Sequence, residues 1–314
     1  MENPVTHSKS DYAVGVFWSF VSAFLWSTTF VSGRFLISNN QIDPVSLSFV
    51  RFIIGGAILM LYGYIFMRKQ LFAVKVKDIL QMGVLALFGV TGMSALLFLG
   101  QRSTSAINSS LIMQINPVII FFLGVFIGER ISILQITGIL ISLFGCLFVV
   151  DVITMKGFAY EMNHLAGDLL VFASACCWAI YSVFGKSVVK RVGGYAATTW
   201  TMLLGAFELL ILLLILPVAH TMPVTFSAWS IVLYLAVFPT AVAFFAWFEA
   251  MDKIELSLLN VMQYLTPVST IFLAWFFLGE KITLFNTLGI ILVIGGVMLT
   301  GYRKKETAHK VSAD

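Results

Sequence analysis

Charge is scarce in this chain of 314 residues. Lys, Arg, Asp and Glu together make up 11% of it, where a soluble domain carries about 25%. That is too little to cover a water-facing surface, and it excludes an ordinary soluble domain. Cysteine is also sparse. Cys146, Cys176 and Cys177 are the three present, each inside an apolar run. Without a spaced Cys/His set there is no basis for a disulfide framework or a zinc site. The four histidines, His7, His164, His220 and His309, lie outside the long apolar runs, and none forms a metalloprotease-type pair. Gly185-Lys186-Ser187 resembles the tail of a phosphate loop, but Ile180 stands where that motif needs glycine. The sequence therefore carries no catalytic dyad, no cofactor motif and no ATP-binding loop, and an enzyme is not expected. The net charge of +4 is explained by topology, given below, and is no nucleic-acid footprint.

What the chain has in abundance is apolar residues, at 60%. Runs of roughly 20 recur, each long enough to cross a bilayer as a helix. Where the backbone meets lipid it must satisfy its own polar groups, which favours helices. We read ten spans, at about 13–36, 44–67, 79–99, 105–127, 132–151, 165–188, 196–217, 228–250, 255–278 and 284–302. The polar first dozen residues precede a run with no small-x-small cleavage site, so the first span is expected to be retained. Basic residues set orientation. With the N-terminus cytoplasmic, 14 of the 19 Lys and Arg fall inside, including Arg68, Lys69, Lys75 and Lys77 in one loop and Arg303, Lys304, Lys305 and Lys310 in the tail. Both termini are expected to be cytoplasmic.

The chain repeats itself. Gly15, Ser22, Trp26, Gly33 and Arg34 recur as Gly167, Ser174, Trp178, Gly185 and Lys186, all 152 residues later. Phe98 and Gly100 correspond to Phe248 and Ala250, and Gly128-Glu129 to Gly279-Glu280. Spans 1–5 thus repeat as spans 6–10. Five is odd, so the two halves must be inverted relative to each other, as in transporters with a mid-membrane site between repeats. The expected fold is an all-α polytopic membrane protein with ten helices in two inverted five-helix repeats. Its expected parts are a cytoplasmic tail (1–12), a first repeat (13–151), an external loop (152–164), a second repeat (165–302) and a basic cytoplasmic tail (303–314).

The fourth span of each half reads as a proline-broken helix. Pro117 and Pro267 lie deep in apolar sequence, and each should free a carbonyl, of Met113 and of Gln263. Polar residues cluster before them: Asn108, Gln114 and Asn116 in one half, Asn260, Gln263, Tyr264 and Thr266 in the other. These faces are expected to line a polar cavity, with Asn108, Gln114, Asn260, Gln263 and Tyr264 supplying hydrogen bonds to a solute. Trp26 and Thr29 in span 1, and Trp178 and Tyr181 in span 6, form matching faces at helical spacing. They are expected to pack against the solute or to serve as core. Charges within spans are costly and hence informative. Glu208, near the middle of span 7, is a candidate proton site, and Arg51 in span 2 a candidate charge site. Glu129 and Glu280 follow the fourth spans. They read as caps of the following helix, as partners of Arg130 or Lys281, or as gate latches.

The stretches Ser103-Thr104-Ser105-Ala106…Pro117…Gly128-Glu129-Arg130 and Pro267…Gly279-Glu280-Lys281 resemble the EamA-type branch of the drug/metabolite transporter superfamily, over residues 13 to 302. That resemblance implies a central cavity between helices 1, 3, 4, 6, 8 and 9. It also implies export of amino acids or other small metabolites, with import of cofactors, sugars or nucleotide-linked compounds in some members. The expected activity is a secondary active or facilitative transporter of the inner (plasma) membrane, exporting an amino-acid-like or aromatic metabolite by alternating access. Proton coupling is a candidate, and the protein would act as a monomer or homodimer in the lipid bilayer. The alternatives are import of a nucleotide-like or cofactor metabolite, and a membrane scaffold or sensor without transport.

Overall fold

The computed structural model describes residues 9–116, 118–120, 123, 136–138, 140–141, 144–145, 148, 162–216, 220–251, 253, 262–263 and 265–301. Pro117, Glu129, Asn260 and Tyr264 lie outside the described residues. Every regular element among the described residues is helical. The helices include α1 (Lys9–Ser38), α2 (Pro44–Phe66), α3 (Val76–Gly100), α4 (Ala106–Met113), α5, α6 (Met162–Val192), α7 (Gly194–Ile215), α8 (Phe226–Ala250), α9 (Leu265–Leu278) and α10 (Leu284–Gly301), with a short helix, Arg68–Phe72, between α2 and α3. For α5 the described residues lie between 136 and 148. Within α1, α2, α3, α6, α7 and α8 lie six segments long and apolar enough to cross a membrane. The chain is a multi-pass membrane protein.

Local chemistry places the ends. Asp43 precedes α2 in extended conformation, and its carboxylate accepts from the Val45 and Ser46 N–H groups at 3.0 Å each. Pro44 follows at the first helical position, where a missing N–H costs nothing. The same carboxylate accepts from Thr221 N at 3.1 Å, tying this end of α2 to the segment before α8. Large apolar side chains such as Leu214, Phe226 and Phe276 remain exposed, which suits contact with lipid rather than water.

The packing is reciprocal between halves. α2 lies along α7; α1 packs on α8 as α6 packs on α3; α1 meets α9 as α6 meets α4; and α4 meets α9. Phe148 of α5 stacks on Phe285 of α10, with ring centroids 5.9 Å apart. These pairings follow the numbering of the sequence repeat, in which α1 corresponds to α6, α2 to α7, α3 to α8 and α4 to α9.

Two helices widen at matching places. Leu87–Gly92 in α3 and Ala236–Val242 in α8 are π-helical turns, set about 150 residues apart like the rest of the repeat. In α8 the cause is visible. Pro239 has no N–H to give the Leu235 carbonyl, so the usual i→i−4 bond cannot form. The Thr240 hydroxyl donates to that carbonyl instead, at 2.8 Å. Each π turn leans on a glycine of the other half. A β-carbon on Gly55 of α2 would stand 2.5 Å from Thr240 Cγ2, and one on Gly205 of α7 would stand 2.5 Å from Val90 Cγ1. Thr240 and Val90, like Gly205 and Gly55, are 150 residues apart.

Candidate functional site

The start of α4 is held by the opposite half. An α-helix begins with N–H groups that have no intrahelical acceptor. Here Ser105, in extended conformation, takes the Asn108 N–H on its Oγ at 2.9 Å. The Glu280 carboxylate takes the other two, from Ala106 N at 2.8 Å and Ile107 N at 3.1 Å. A carboxylate is favoured there by the helix dipole as well as by the hydrogen bonds. The Gly-Glu pair makes this geometry. Gly279 ends α9 with φ of +66°, in the left-handed region, where a side chain is disfavoured. The turn aims Glu280 back at α4. Glu280 therefore caps α4, in the first half, and not the start of α10. The connection between α3 and α4 is pinned from two more sides. Arg34 of α1 donates to the Gln101 carbonyl, and Thr104 donates to Asp168 of α6.

Deeper in, the proline-broken stretches differ from the simple expectation. α4 stops at Met113. Gln114 N bonds Leu111 O at 3.0 Å and Ile115 N bonds Ile112 O at 3.1 Å, so the chain tightens into i→i−3 turns and is helical again at Asn116. In the second half Gln263 is a turn residue, and α9 starts at Leu265. Pro267 is its third residue, buried in the first turn, where proline breaks no hydrogen bond. The Gln263 carbonyl is not orphaned by the proline, because Thr266 N bonds it at 2.9 Å. Flanking the proline, Thr266 donates to the Ala23 carbonyl of α1 at 3.1 Å, and Thr270, bonded to Thr266 O at 2.8 Å, also approaches the Ser27 carbonyl of α1 at 3.4 Å. The site expected around Pro267 is thus partly a helix–helix seam. In the first half's break, the buried Asn116 Oδ1 has no hydrogen-bond partner among the described residues, and on α1 the same holds for Ser22 Oγ and Thr29 Oγ1. Unpaired buried polar atoms are costly and few in native proteins. These three supply polar capacity that no side chain takes up among the described residues.

The aromatic residues meet at the centre. Trp26 packs edge-on to Phe244 with centroids 5.3 Å apart, and against Trp247 at 5.4 Å. Trp178 leans on Tyr181 at 5.4 Å. Trp178, Tyr181 and Phe244 share one void with Thr198 and Thr201 of α7. It measures about 10 Å³, room for about one water. Trp178 and Tyr181 thus line this void directly, and Trp26 reaches it only through its contact with Phe244. Asn108 on α4, which packs beside α6 and α9, and Gln114 in the turn that ends α4 are half-buried.

The two charges singled out within the spans, Arg51 and Glu208, are each held by a threonine of a π turn. Arg51 Nε donates to Thr240 Oγ1 at 2.6 Å. Its guanidinium lies 5.2 Å from the Phe52 ring centroid and 6.0 Å from that of Phe98. Among the described residues no carboxylate is within ion-pair distance of it, although the side chain is buried. Thr91 Oγ1 donates to Glu208 Oε2 at 2.7 Å. Arg51 and Glu208 do not pair with each other. Each instead joins its own half to the opposite one, α2 to α8 and α7 to α3. The sequence reading missed Thr91, Thr240 and Asp168. Pro239 inside an apolar run was the available signal for the α8 turn.

A two-half helical membrane protein with reciprocal packing and polar groups buried between the halves belongs to the class of membrane transporters. Residues 13–151 and 165–302 each match the EamA-like transporter family; the chain belongs to that family and is not an enzyme. It is 28% identical over 282 residues to an uncharacterised transporter of Archaeoglobus fulgidus, covering 89% of this chain and 94% of that one. It is 30% identical over 224 residues to an uncharacterised transporter of Bacillus subtilis, covering 68% and 70%. A protein of Streptantibioticus cattleyicolor named "Probable terminal-alkyne amino-acid exporter" is 30% identical over 225 residues, covering 70% of this chain and 73% of that one. A solved crystal structure superposes with a TM-score of 0.64 at 22% identity, over 91% of this chain and 96% of the other, and shares its fold.

Proposed function

We propose that this protein is a secondary transporter of the inner membrane that exports a small amino-acid-like or aromatic metabolite by alternating access. In this reading ten spans, five in each inverted half, bring both termini to one side, which the bias of basic residues makes the cytoplasm. The observation that carries this reading is the reciprocal pair of contacts across the interface, Gly55 with Thr240 and Gly205 with Val90. Two halves joined by the same contact in opposite sense can rock about it, exposing first one side and then the other.

In this reading the solute binds between α1, α4, α6 and α9. Asn108, Gln114, Asn260, Gln263 and Tyr264 supply hydrogen bonds, with Thr29 beside them. Trp26, Trp178 and Tyr181 part to admit it. The Glu280 carboxylate on the start of α4 latches the outer side, and Glu129, its counterpart in the sequence repeat, is the proposed latch of the inner side. The polar turns before Pro117 and Pro267 are where the two broken helices hinge. Glu208, bonded to Thr91 on the α3 π turn, is the proton site if transport is proton-driven, since protonation changes what Thr91 holds. Export of an amino-acid-like solute draws support from the name of the S. cattleyicolor relative. The test is efflux of amino acids from vesicles carrying wild type or the Asn260→Leu/Gln263→Leu double variant. Wild type is expected to release a solute that the double variant retains. Equal release by both would remove these residues from the site.

A further inference from the structure

On the outer face of the bundle, α3 and α6 diverge around a groove of about 810 Å³. Its walls are apolar along most of their length. Leu80, Val84 and Phe184 line it with 68%, 60% and 53% of their surface uncovered. Gly83 faces open space, since a β-carbon there would touch nothing within 4 Å. One end is polar, formed by Lys77, Gln81 and Ser187, and the other is closed by Phe88 and Ile180. From Lys77 to Phe88 the helix rises by about 16 Å at 1.5 Å per residue. That is about half of a hydrocarbon core roughly 30 Å thick, the depth of one leaflet.

The polar end is basic. Lys77 has no carboxylate within ion-pair distance among the described residues, and Asp78, its neighbour, is taken by Arg191 at 2.9 Å. Lys75 and Lys190 are exposed close by in sequence. An apolar slot one leaflet long, opening to lipid and ending at an unneutralised cation, is complementary to a single amphiphile. Basic pockets between transmembrane helices recognise anionic lipid headgroups in this way.

We propose that the α3–α6 groove is a binding site for one anionic phospholipid. An acyl chain lies along Leu80, Val84 and Phe184, and the phosphate sits at Lys77. The groove is distinct from the void at Trp178 and Tyr181, with which it shares no lining residue. Bound there, the lipid would bridge a helix of each half and so bias their relative position.

Native mass spectrometry of the purified full chain, incubated in mixed micelles with phosphatidylglycerol or phosphatidylcholine, tests this. Wild type is expected to retain one phosphatidylglycerol in preference to phosphatidylcholine. Lys77→Gln should reduce that preference about fivefold, the worth of one cation near an anionic surface. Val84→Trp, which fills the slot, should lower retention of both lipids. Both substitutions are at lipid- or solvent-exposed positions, and unchanged melting temperatures check that the variants fold. Equal retention of the two lipids by wild type would overturn the proposal. So would an unchanged preference in Lys77→Gln, or a protein dimer that Val84→Trp dissociates in place of the lipid.

Discussion

Glu280, in the second half of the chain, accepts hydrogen bonds from the backbone N–H groups of Ala106 and Ile107, 174 and 173 residues before it. One carboxylate thereby completes the first turn of a helix in the opposite repeat. Glu280→Ala should remove both bonds and the favourable charge, costing about 1 kcal/mol as helix caps do. Thermal unfolding in detergent measures it. Glu280→Gln keeps an acceptor and should fall between wild type and alanine. A melting temperature unchanged in both variants would show that the contact contributes nothing.

The glycine contacts across the interface make a second prediction. Gly55→Ala places a methyl group 2.5 Å from Thr240 Cγ2 and 3.0 Å from the Ala236 carbonyl, an overpacking that costs roughly 1–3 kcal/mol. Thr240→Ser removes Cγ2 while keeping the hydroxyl that Arg51 needs. The Gly55→Ala/Thr240→Ser pair should therefore be more stable than the sum of the single changes, with a coupling of about 0.5 kcal/mol or more. Strict additivity would mean the two residues do not touch.

Thr240 also separates packing from polarity. Thr240→Val keeps the shape but leaves the Arg51 Nε–H and the Leu235 carbonyl without this partner. The loss should be about 1.5–3 kcal/mol, the range for a hydrogen bond to a charged group. Thr240→Ser should lose much less. If valine and serine behave alike in thermal unfolding, the hydroxyl has no role.

Much of this architecture is legible in the sequence, and the parts that are not share a cause. Repeats at offsets of 150 to 152 residues stand out because glycines and small residues recur wherever two helices approach closely, and close approach is repeated in both halves. The polar residues before Pro117 and Pro267 mark helix breaks, and the chain does leave the α-helix at Gln114 and Gln263. What happens to the Gln263 carbonyl was not readable, because a tightening to i→i−3 bonding leaves no trace in composition. The same applies to the π turns, where hydropathy is blind to hydrogen-bond register; only Pro239 hinted at one. Sequence neighbours make Glu280 a cap of α10, a partner of Lys281 or a gate latch, but its observed partners, Ala106 N and Ile107 N, lie in the other half. Helical spacing gives Trp26, Trp178 and Tyr181 two readings, contact with a solute or core packing; Trp178 and Tyr181 line the small void, while Trp26 packs on Phe244 and Trp247.

If transport is proton-driven, Glu208 carries the proton. Glu208→Gln should then abolish uphill efflux driven by a pH gradient while preserving exchange of labelled solute at equal pH. Thr91→Val, which removes the hydroxyl bonded to the carboxylate, should shift the pH dependence without abolishing transport. Gradient-driven efflux that survives Glu208→Gln would take the proton role from this residue.

The central claim is that the chain moves an amino-acid-like or aromatic solute through the interface between its halves. Liposomes loaded with a mixture of amino acids and aromatic metabolites, with and without the purified protein, test it most directly when efflux is followed by mass spectrometry. Wild-type liposomes should lose one or a few solutes faster than empty ones, and Gln263→Leu should return that loss to the empty level. Retention of every solute at the rate of empty liposomes, by a protein that melts cooperatively, would contradict the account.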